Sequence, residues 1–477
     1  MALVWFSTPT GPIFSPDSVS YIRSLRMLQA GDGVLALDNH WPPGYPLLLS
    51  FMYSLVGSEM LAARLLSAVS LALSLVALAL FTSRLENLRS ARLLLTLVVL
   101  VHLLGYAFSF LHLFALSEPP FVAALCWALV AYQRVSAAPS ERGNWLLLIC
   151  CLAGMLLLRY TALPLFAAFL FSLAVQLHLS GRRYLVRLLG VAVLSSAPLL
   201  IWLWLISGET GEAVREYSFH ALRMVHFREL TLALSRWMGG IEGTLAFCIY
   251  IAVLVTAAWQ WLKTHRPELL LLLTCSVGYL LFLILSLLFF DAHTPLNVRL
   301  VLPLYPLFVL LLVSFAGSFT RSWRGLDYST VLVTLLVVVI GLGLPALRLR
   351  LKTSAAGAIG SANLVERNLQ LYSRVAALPP ATPIYSNTGE ILYLFFRRDV
   401  LATPRLYDPI TMQQNPNFIA ETAAMIKHMH DADGVLLWMP MGGKRPYYPK
   451  TDVLLQFPLK IIAEADGGYL MVPDITD

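Results

Sequence analysis

Ten apolar segments, each close to the ~20 residues a helix needs to cross a bilayer, dominate this chain and leave few alternatives for its fold. They fall at 60–82, 92–109, 111–132, 145–158, 161–178, 184–206, 244–262, 268–290, 298–318 and 328–347. The pair around Arg159 is short, which puts its turn within the outer leaflet. Hydrophobic residues make up 58% of the chain and charged residues 13%, against roughly 25% charged in a soluble domain. A soluble fold of 477 residues has no way to hide so much apolar surface, so lipid is the solvent for most of the chain. Residues 44–56 are apolar too, but that length suits an interfacial or re-entrant helix better than a span.

Positive charge sets the orientation. The formal net charge is +7, and in a membrane protein such an excess reports cytoplasmic loops facing anionic lipid, not nucleic acid. Arg84, Arg89 and Arg92 fill one loop and Arg134 and Arg142 the next on that side. Arg182, Arg183 and Arg187 follow, then Lys263, His265 and Arg266, then Arg321 and Arg324. Every second loop is basic, so these are cytoplasmic. The outer side then carries the first loop (1–59), the turn at Arg159, 207–243, 291–298 and everything beyond 348. Arg348, Arg350 and Lys352 run against the rule, with Arg321 and Arg324 competing at the other end of the last span. By this parity Asp17, His40, Glu118, Arg159, Asp291, His293 and Arg299 converge on one outer face, as a single extracytoplasmic site requires. Residues 1–16 hold no span, so parity puts Met1 outside or implies a helix upstream of a truncated or misassigned start.

Two parts are expected: 1–350 in the membrane and 351–477 as a small α/β domain on the outer face. In the second, 382–386 and 434–438 are short apolar runs of buried-strand type, 418–430 is an amphipathic helix, and 460–463 with 469–472 is a closing strand pair. The cysteines at 126, 150, 151, 248 and 275 all fall in apolar segments and read as small apolar fillers.

The polar residues of the outer face carry the candidate chemistry. His40-Trp41-Pro42-Pro43-Gly44-Tyr45-Pro46 is a shaped loop, its prolines fixing the backbone and barring a regular helix through Gly44. Asp17 follows Pro16 and precedes a predicted helix over 19–29, which fits either a catalytic carboxylate or an N-cap. Glu118 in an apolar segment is costly unless it meets a polar cavity or a partner helix. Arg299 and Arg159 offer a planar fork for phosphate oxygens or snorkel to lipid headgroups; Arg64 has the same two options. His40 can touch a phosphate or sugar hydroxyl, and Trp41 and Tyr45 can stack on sugar or prenyl groups or pack in an interfacial aromatic belt. Asp291 with His293 is a sparse metal pair, two ligands being too few for a site. His102, His112, His220 and His226 read as structural, and Gly442-Gly443-Lys444 lacks phosphate-loop spacing and reads as a turn.

In their order these elements resemble the GT-C superfamily of membrane glycosyltransferases, in its bacterial branch related to protein O-mannosyltransferases and the aminoarabinose transferase of lipid A. The resemblance rests on Pro16-Asp17-Ser18-Val19-Ser20-Tyr21, His40 to Pro46, Ala62-Ala63-Arg64-Leu65-Leu66-Ser67-Ala68, Ser117-Glu118, and Asn297-Val298-Arg299-Leu300-Val301-Leu302-Pro303. It covers roughly 15–350. The chain departs in lacking a first helix, in having one acid where many relatives have a pair, and in Leu300 where a tyrosine is usual. The resemblance implies inverting transfer of a sugar from a polyprenyl phosphate to an acceptor hydroxyl, at the outer face of a cytoplasmic (inner) membrane. Asp17 would be the base or acceptor-orienting carboxylate, and Arg299, Arg159 and His40 would serve the donor phosphate. Glu118, Trp41 and Tyr45 would line the cavity near the acceptor. No cofactor is required by this chemistry, although some relatives use a divalent ion. The acceptor is a protein, a glycolipid or a wall polymer. Two other readings are a transporter or flippase for a lipid-linked saccharide, and a noncatalytic assembly partner.

Overall fold

The computed structural model describes residues 1–38, 40–84, 106–180, 185–207, 219, 221–289, 296–319, 345, 347–356, 369–408, 413–440, 447–465 and 467–474. The chain groups into two compact units. One comprises Met1–Pro12, Arg23–Phe290 and Pro295–Ala355; the other comprises Ile13–Ile22, Asp291–Thr294 and Ala356–Asp477.

The larger unit is helical. Its helices are α1 (Ala2–Ser7), most of α2 (Pro16–Ala30), α3 (Gly44–Val56), α4 (Glu59–Ser83), α5 (Tyr106–Leu111), α6 (Glu118–Ala137), α7 (Arg142–Leu158), α8 (Leu163–Ser180), α9 (Leu185–Ser207), α10 (Met224–Trp237), α11 (Gly243–Thr264), α12 (Pro267–Phe289) and α13 (Leu304–Phe319). Among the described residues, α4, α6, α9, α11 and α12 are long and apolar enough to cross a membrane. This is a multi-pass membrane protein. On α9, Val186, Val193, Leu200 and Trp204 are exposed apolar side chains, as expected of a helix bathed in lipid.

The helix ends follow local chemistry. Gly57 takes the left-handed conformation (φ 66°) that stops α3, and Ser58 Oγ then accepts the N–H of Leu61 to start α4. Glu242 caps α11, accepting the N–H groups of Thr244 and Leu245 at 2.9 and 2.7 Å. Those two donors hold the Glu242 carboxyl below its ordinary range. Helix α4 packs against α6, and its buried residues include the small side chains Ala63, Ser67, Ser70, Ser74 and Ala77. Small residues let membrane helices approach closely, and Ser70 and Ser74 return their hydroxyls to the carbonyls of Leu66 and Ser70. Ser172 and Thr274 share a 2.8 Å hydrogen bond that ties α8 to α12.

Three expectations need correction. The Pro-rich loop does not bar a helix through Gly44: α3 begins there, with Pro46 in its first turn, where a missing N–H costs nothing. The span expected over 111–132 starts at Glu118, because Pro119 and Pro120 are tolerated only in a first turn. The span expected from 298 starts at Leu304, after turns through 298–303. The amphipathic α10, inside the expected outer loop, went unread. Most of 92–109 and of 328–347 lies outside the described residues, as do His102, His220 and Gly442-Gly443-Lys444. His226 has the structural role expected, its Nδ1 accepting the N–H of Arg223 at the start of α10.

The C-terminal unit is a three-layer α/β fold. Its strands are β1 (Ile384–Ser386), β2 (Leu401–Ala402), β3 (Val435–Trp438), β4 (Leu459–Ala465) and β5 (Gly468–Pro473), in spatial order β2-β1-β3-β5-β4. β1 pairs in parallel with β2 and β3, and β5 runs antiparallel to β3 and β4. Strand alternation splits the core. Ile384, Leu437 and Leu470 meet Leu371, Tyr372 and Val375 of α14 (Gln370–Ala376) and Leu392 of α15 (Gly389–Phe396). Leu436, Trp438 and Met471 meet Met425, Ile426 and Met429 of α16 (Phe418–Asp431) and Leu454 of α17 (Thr451–Leu454). The short segment Ile13–Ile22 belongs to this unit, where Phe14 and Phe395 stack edge to face at 6.4 Å.

Candidate functional site: a carboxylate between two arginines

In the larger unit three chain segments bring their charges together at the head of α6. Glu118 is its first residue and its side chain is only 2% exposed. Glu118 Oε1 accepts from Arg159 Nη1 at 2.8 Å and also from Arg299 Nε. Arg159 Nη1 reaches the Ser117 hydroxyl as well, at 3.0 Å. One buried carboxylate is thus shared by two guanidiniums. Glu118 Oε2 is buried and has no hydrogen-bond partner among the described residues.

Each side chain is held by its backbone. Arg159 leaves α7 in extended geometry (φ −154°, ψ 137°), with its N–H on the carbonyl of Met155, before a single 3-10 turn over Tyr160–Ala162. That break aims the guanidinium back across the helix ends. Arg299 sits in a turn built by Asn297, whose Oδ1 accepts the N–H groups of Arg299 and Leu300 at 3.0 and 3.1 Å. Tyr279 of α12 donates its hydroxyl to the Leu300 carbonyl at 2.9 Å, fixing the turn to a membrane helix.

The aromatic loop frames the cluster. The Arg159 guanidinium carbon lies 5.8 Å from the Trp41 ring centroid, within cation–π range. His40 packs edge-on to Trp41 at 4.7 Å and is exposed, its backbone N–H on Asp38 Oδ1. Tyr45 is fully buried in α3. Gly44 permits this docking, since a Cβ there would stand 2.5 Å from the Leu157 carbonyl oxygen at the end of α7. Arg64 points elsewhere: its guanidinium stacks over the Trp5 ring at 3.8 Å and donates to the Trp5 carbonyl, so it pins α1 to α4.

Asp17 belongs to the C-terminal unit and is the second residue of α2, half-exposed in the first helical turn. It is not the N-cap: Ser18 Oγ, one residue on, accepts the N–H of Ser15 and closes the turn before Pro16. Asp291 and His293 lie outside the described residues. Among the described residues no cluster of three or more His, Cys, Asp or Glu side chains is placed to hold a metal. Sequence reasoning missed Tyr279 and the turn-building role of Asn297. An Asx two residues before Arg299 was the available signal, as was a lone tyrosine in an otherwise apolar span.

Residues 40–202, from the aromatic loop through α9, match the family of dolichyl-phosphate-mannose-protein mannosyltransferases. The fold is similar to ArnT from Cupriavidus metallidurans in its apo state, at 15% identity and TM-score 0.59 over 98% of this chain and 96% of that one. The same protein bound to undecaprenyl phosphate matches equally, over 100% and 97%. This chain has a GT-C glycosyltransferase fold. The archaeal oligosaccharyltransferase AglB from Archaeoglobus fulgidus, in complex with an inhibitory peptide and a dolichol-phosphate, shares it at 13% identity and TM-score 0.51, over 92% of this chain and 68% of that one. No curated protein sequence matches. In its family segment and in its fold the chain is thus similar to membrane glycosyltransferases of the ArnT and protein mannosyltransferase type.

Proposed function

We propose that the protein transfers a sugar from a polyprenyl-phosphate donor to an acceptor hydroxyl at the outer face of an inner membrane, with inversion. The observation that carries this is the cluster at the head of α6, where Glu118 holds two guanidiniums side by side. A phosphate that must stay beside its lipid tail finds two guanidiniums there, at the end of the membrane helices. The undecaprenyl phosphate bound to the structurally similar ArnT supports the choice of ligand class.

In this reading Arg159 and Arg299 bind the phosphate oxygens and stabilise the negative charge that grows there as the glycosidic C–O bond breaks. The acceptor oxygen attacks the anomeric carbon from the opposite side. Its proton passes to the Asp17 carboxylate, the sugar–oxygen bond forms, and polyprenyl phosphate leaves with the electron pair of the broken bond. Because phosphate is already a fair leaving group, the step needs no strong acid and no metal. Asp17 is assigned this role on its motif and its half-exposed first-turn position, and the alternating basic loops support the outer location. Trp41 and His40 flank the donor head, and Tyr45 holds the loop that carries them. The acceptor is a protein, a glycolipid or a wall polymer.

The test is a binding and turnover pair on purified protein in nanodiscs. Undecaprenyl phosphate should bind the parent and bind Arg159→Gln and Arg299→Gln at least tenfold more weakly. Mass spectrometry of copurifying lipid identifies the sugar donor to supply for turnover. Unchanged lipid affinity in both variants overturns the assignment of the phosphate site.

A further inference from the structure

The C-terminal unit has a cavity of its own, about 860 Å³, within the roughly 300–1,000 Å³ of small-ligand sites. It opens beyond the carboxyl end of β2, where Leu401–Ala402 runs into Thr403, Pro404 and Arg405. Ligands of sheets with parallel strands bind at that edge. The wall is a locked arm of backbone. Asn415 donates its N–H to the Leu406 carbonyl and Asp408 to that of Gln413, both at 2.9 Å, while Tyr407 bridges Gln414. The Asn415 amide then ties the arm to α16, donating to the Arg405 carbonyl at 3.1 Å and to Glu421 Oε2 at 3.0 Å.

We propose that this cavity binds a neutral saccharide. Around it stand Arg405, Asp408, Glu421, Gln413, Gln414 and the ring of Tyr407. Guanidinium, carboxylate and amide groups each present a pair of donors or acceptors in one plane, spaced to meet adjacent hydroxyls, and an aromatic ring takes the C–H face of a sugar. One cation against two carboxylates disfavours a phosphate or an acidic glycan. An extended peptide is disfavoured too. It would need free strand edges, whereas this arm is already paired internally and with the Tyr447 carbonyl, which accepts the Leu406 N–H. Within the transferase reading, on which this last step rests, the saccharide is part of the acceptor.

The test uses the full chain in nanodiscs, without donor, on an array of neutral, amino and acidic glycans, with an unglycosylated peptide panel and inorganic phosphate as competitors. Neutral glycans should be retained. The triple variant Asp408→Ala, Gln413→Ala, Gln414→Ala, at exposed positions, should bind at least tenfold more weakly with unchanged melting temperature. Arg405→Ala supplies a second variant should the first unfold. No retention, a preference for peptide or acidic glycan, displacement by phosphate, or parent-like binding in the folded variant each overturns the proposal. Because no donor is present, that outcome leaves the transfer reading standing; failure of transfer with glycan still bound does the reverse.

Discussion

Replacing Glu118 by Gln tests both the structural and the chemical role of the cluster. The amide keeps the shape and one acceptor but removes the negative charge that Arg159 and Arg299 share. Removing one member of a buried ion pair costs about 3–5 kcal/mol, because the other charge is left uncompensated. Here that cost falls unevenly. The Arg159 side chain is 8% exposed and otherwise meets the Ser117 hydroxyl and the Trp41 ring, whereas Arg299 is 26% exposed and can rehydrate. A loss of about 3 kcal/mol is therefore expected, carried mostly by Arg159, more than a hundredfold in the folded ratio. A phosphate docking on the two guanidiniums would restore the missing charge. Undecaprenyl phosphate should then raise the melting temperature of the variant more than that of the parent, by mass-action linkage. The assay is thermal unfolding of detergent-purified protein at one fixed scan rate, with and without the lipid, since membrane proteins often unfold irreversibly. A variant as stable as its parent refutes the role of Glu118 in holding the two arginines. Equal lipid-induced shifts in the two proteins refute phosphate binding at this cluster.

Asp17→Asn should lower transfer by about 10²–10⁴-fold, the usual size of general-base catalysis, while leaving undecaprenyl phosphate affinity unchanged; parallel turnover and binding measurements check both halves. Gly44→Ala places a methyl 2.5 Å from the Leu157 carbonyl, so α3 must shift. It should cost at least the ~1–3 kcal/mol of core overpacking, seen as a lowered melting temperature together with weaker lipid binding. Glu242→Ala should unlatch the first turn of α11, read as faster amide hydrogen exchange at Thr244 and Leu245. Because folding lowers the Glu242 pKa, its stabilisation is full above the unfolded value and disappears as pH falls through the folded one. Protection at these two amides should fade over that acidic window in the parent and not in the variant.

What could be read from the chain depended on whether the deciding physics was local. The tail strands at 384–386, 435–438 and 468–473 lie where short apolar runs suggested buried strands, and α16 ends one residue past the predicted amphipathic helix. β2 has two residues, too few for any pattern. Helix α10 was missed because Arg228, Glu229 and Arg236 share it with apolar residues, so mean hydropathy is low while the apolar face remains. The start of α6 was legible in principle: two consecutive prolines mark a first turn, and a reading weighted to proline would have put Glu118 at the helix end. Glu118, Arg159 and Arg299 each stood out singly. Their sharing of one oxygen did not, for Glu118 and Arg299 lie 181 positions apart and only the packed bundle decides which charges meet.

That meeting has a physical reason beyond catalysis. An ionisable side chain at the end of a membrane helix must reach water, a counter-charge or a ligand. Here the bundle closes over the carboxylate, which forces Glu118 to take up both guanidiniums within reach. Stability and the proposed ligand binding then rest on the same three residues: the carboxylate makes two neighbouring arginines tolerable, and in the proposed reading the same guanidiniums take an anionic headgroup. A GT-C fold that must hold its donor by a phosphate, while the prenyl tail stays in lipid, gains from binding energy concentrated at that edge of the bundle.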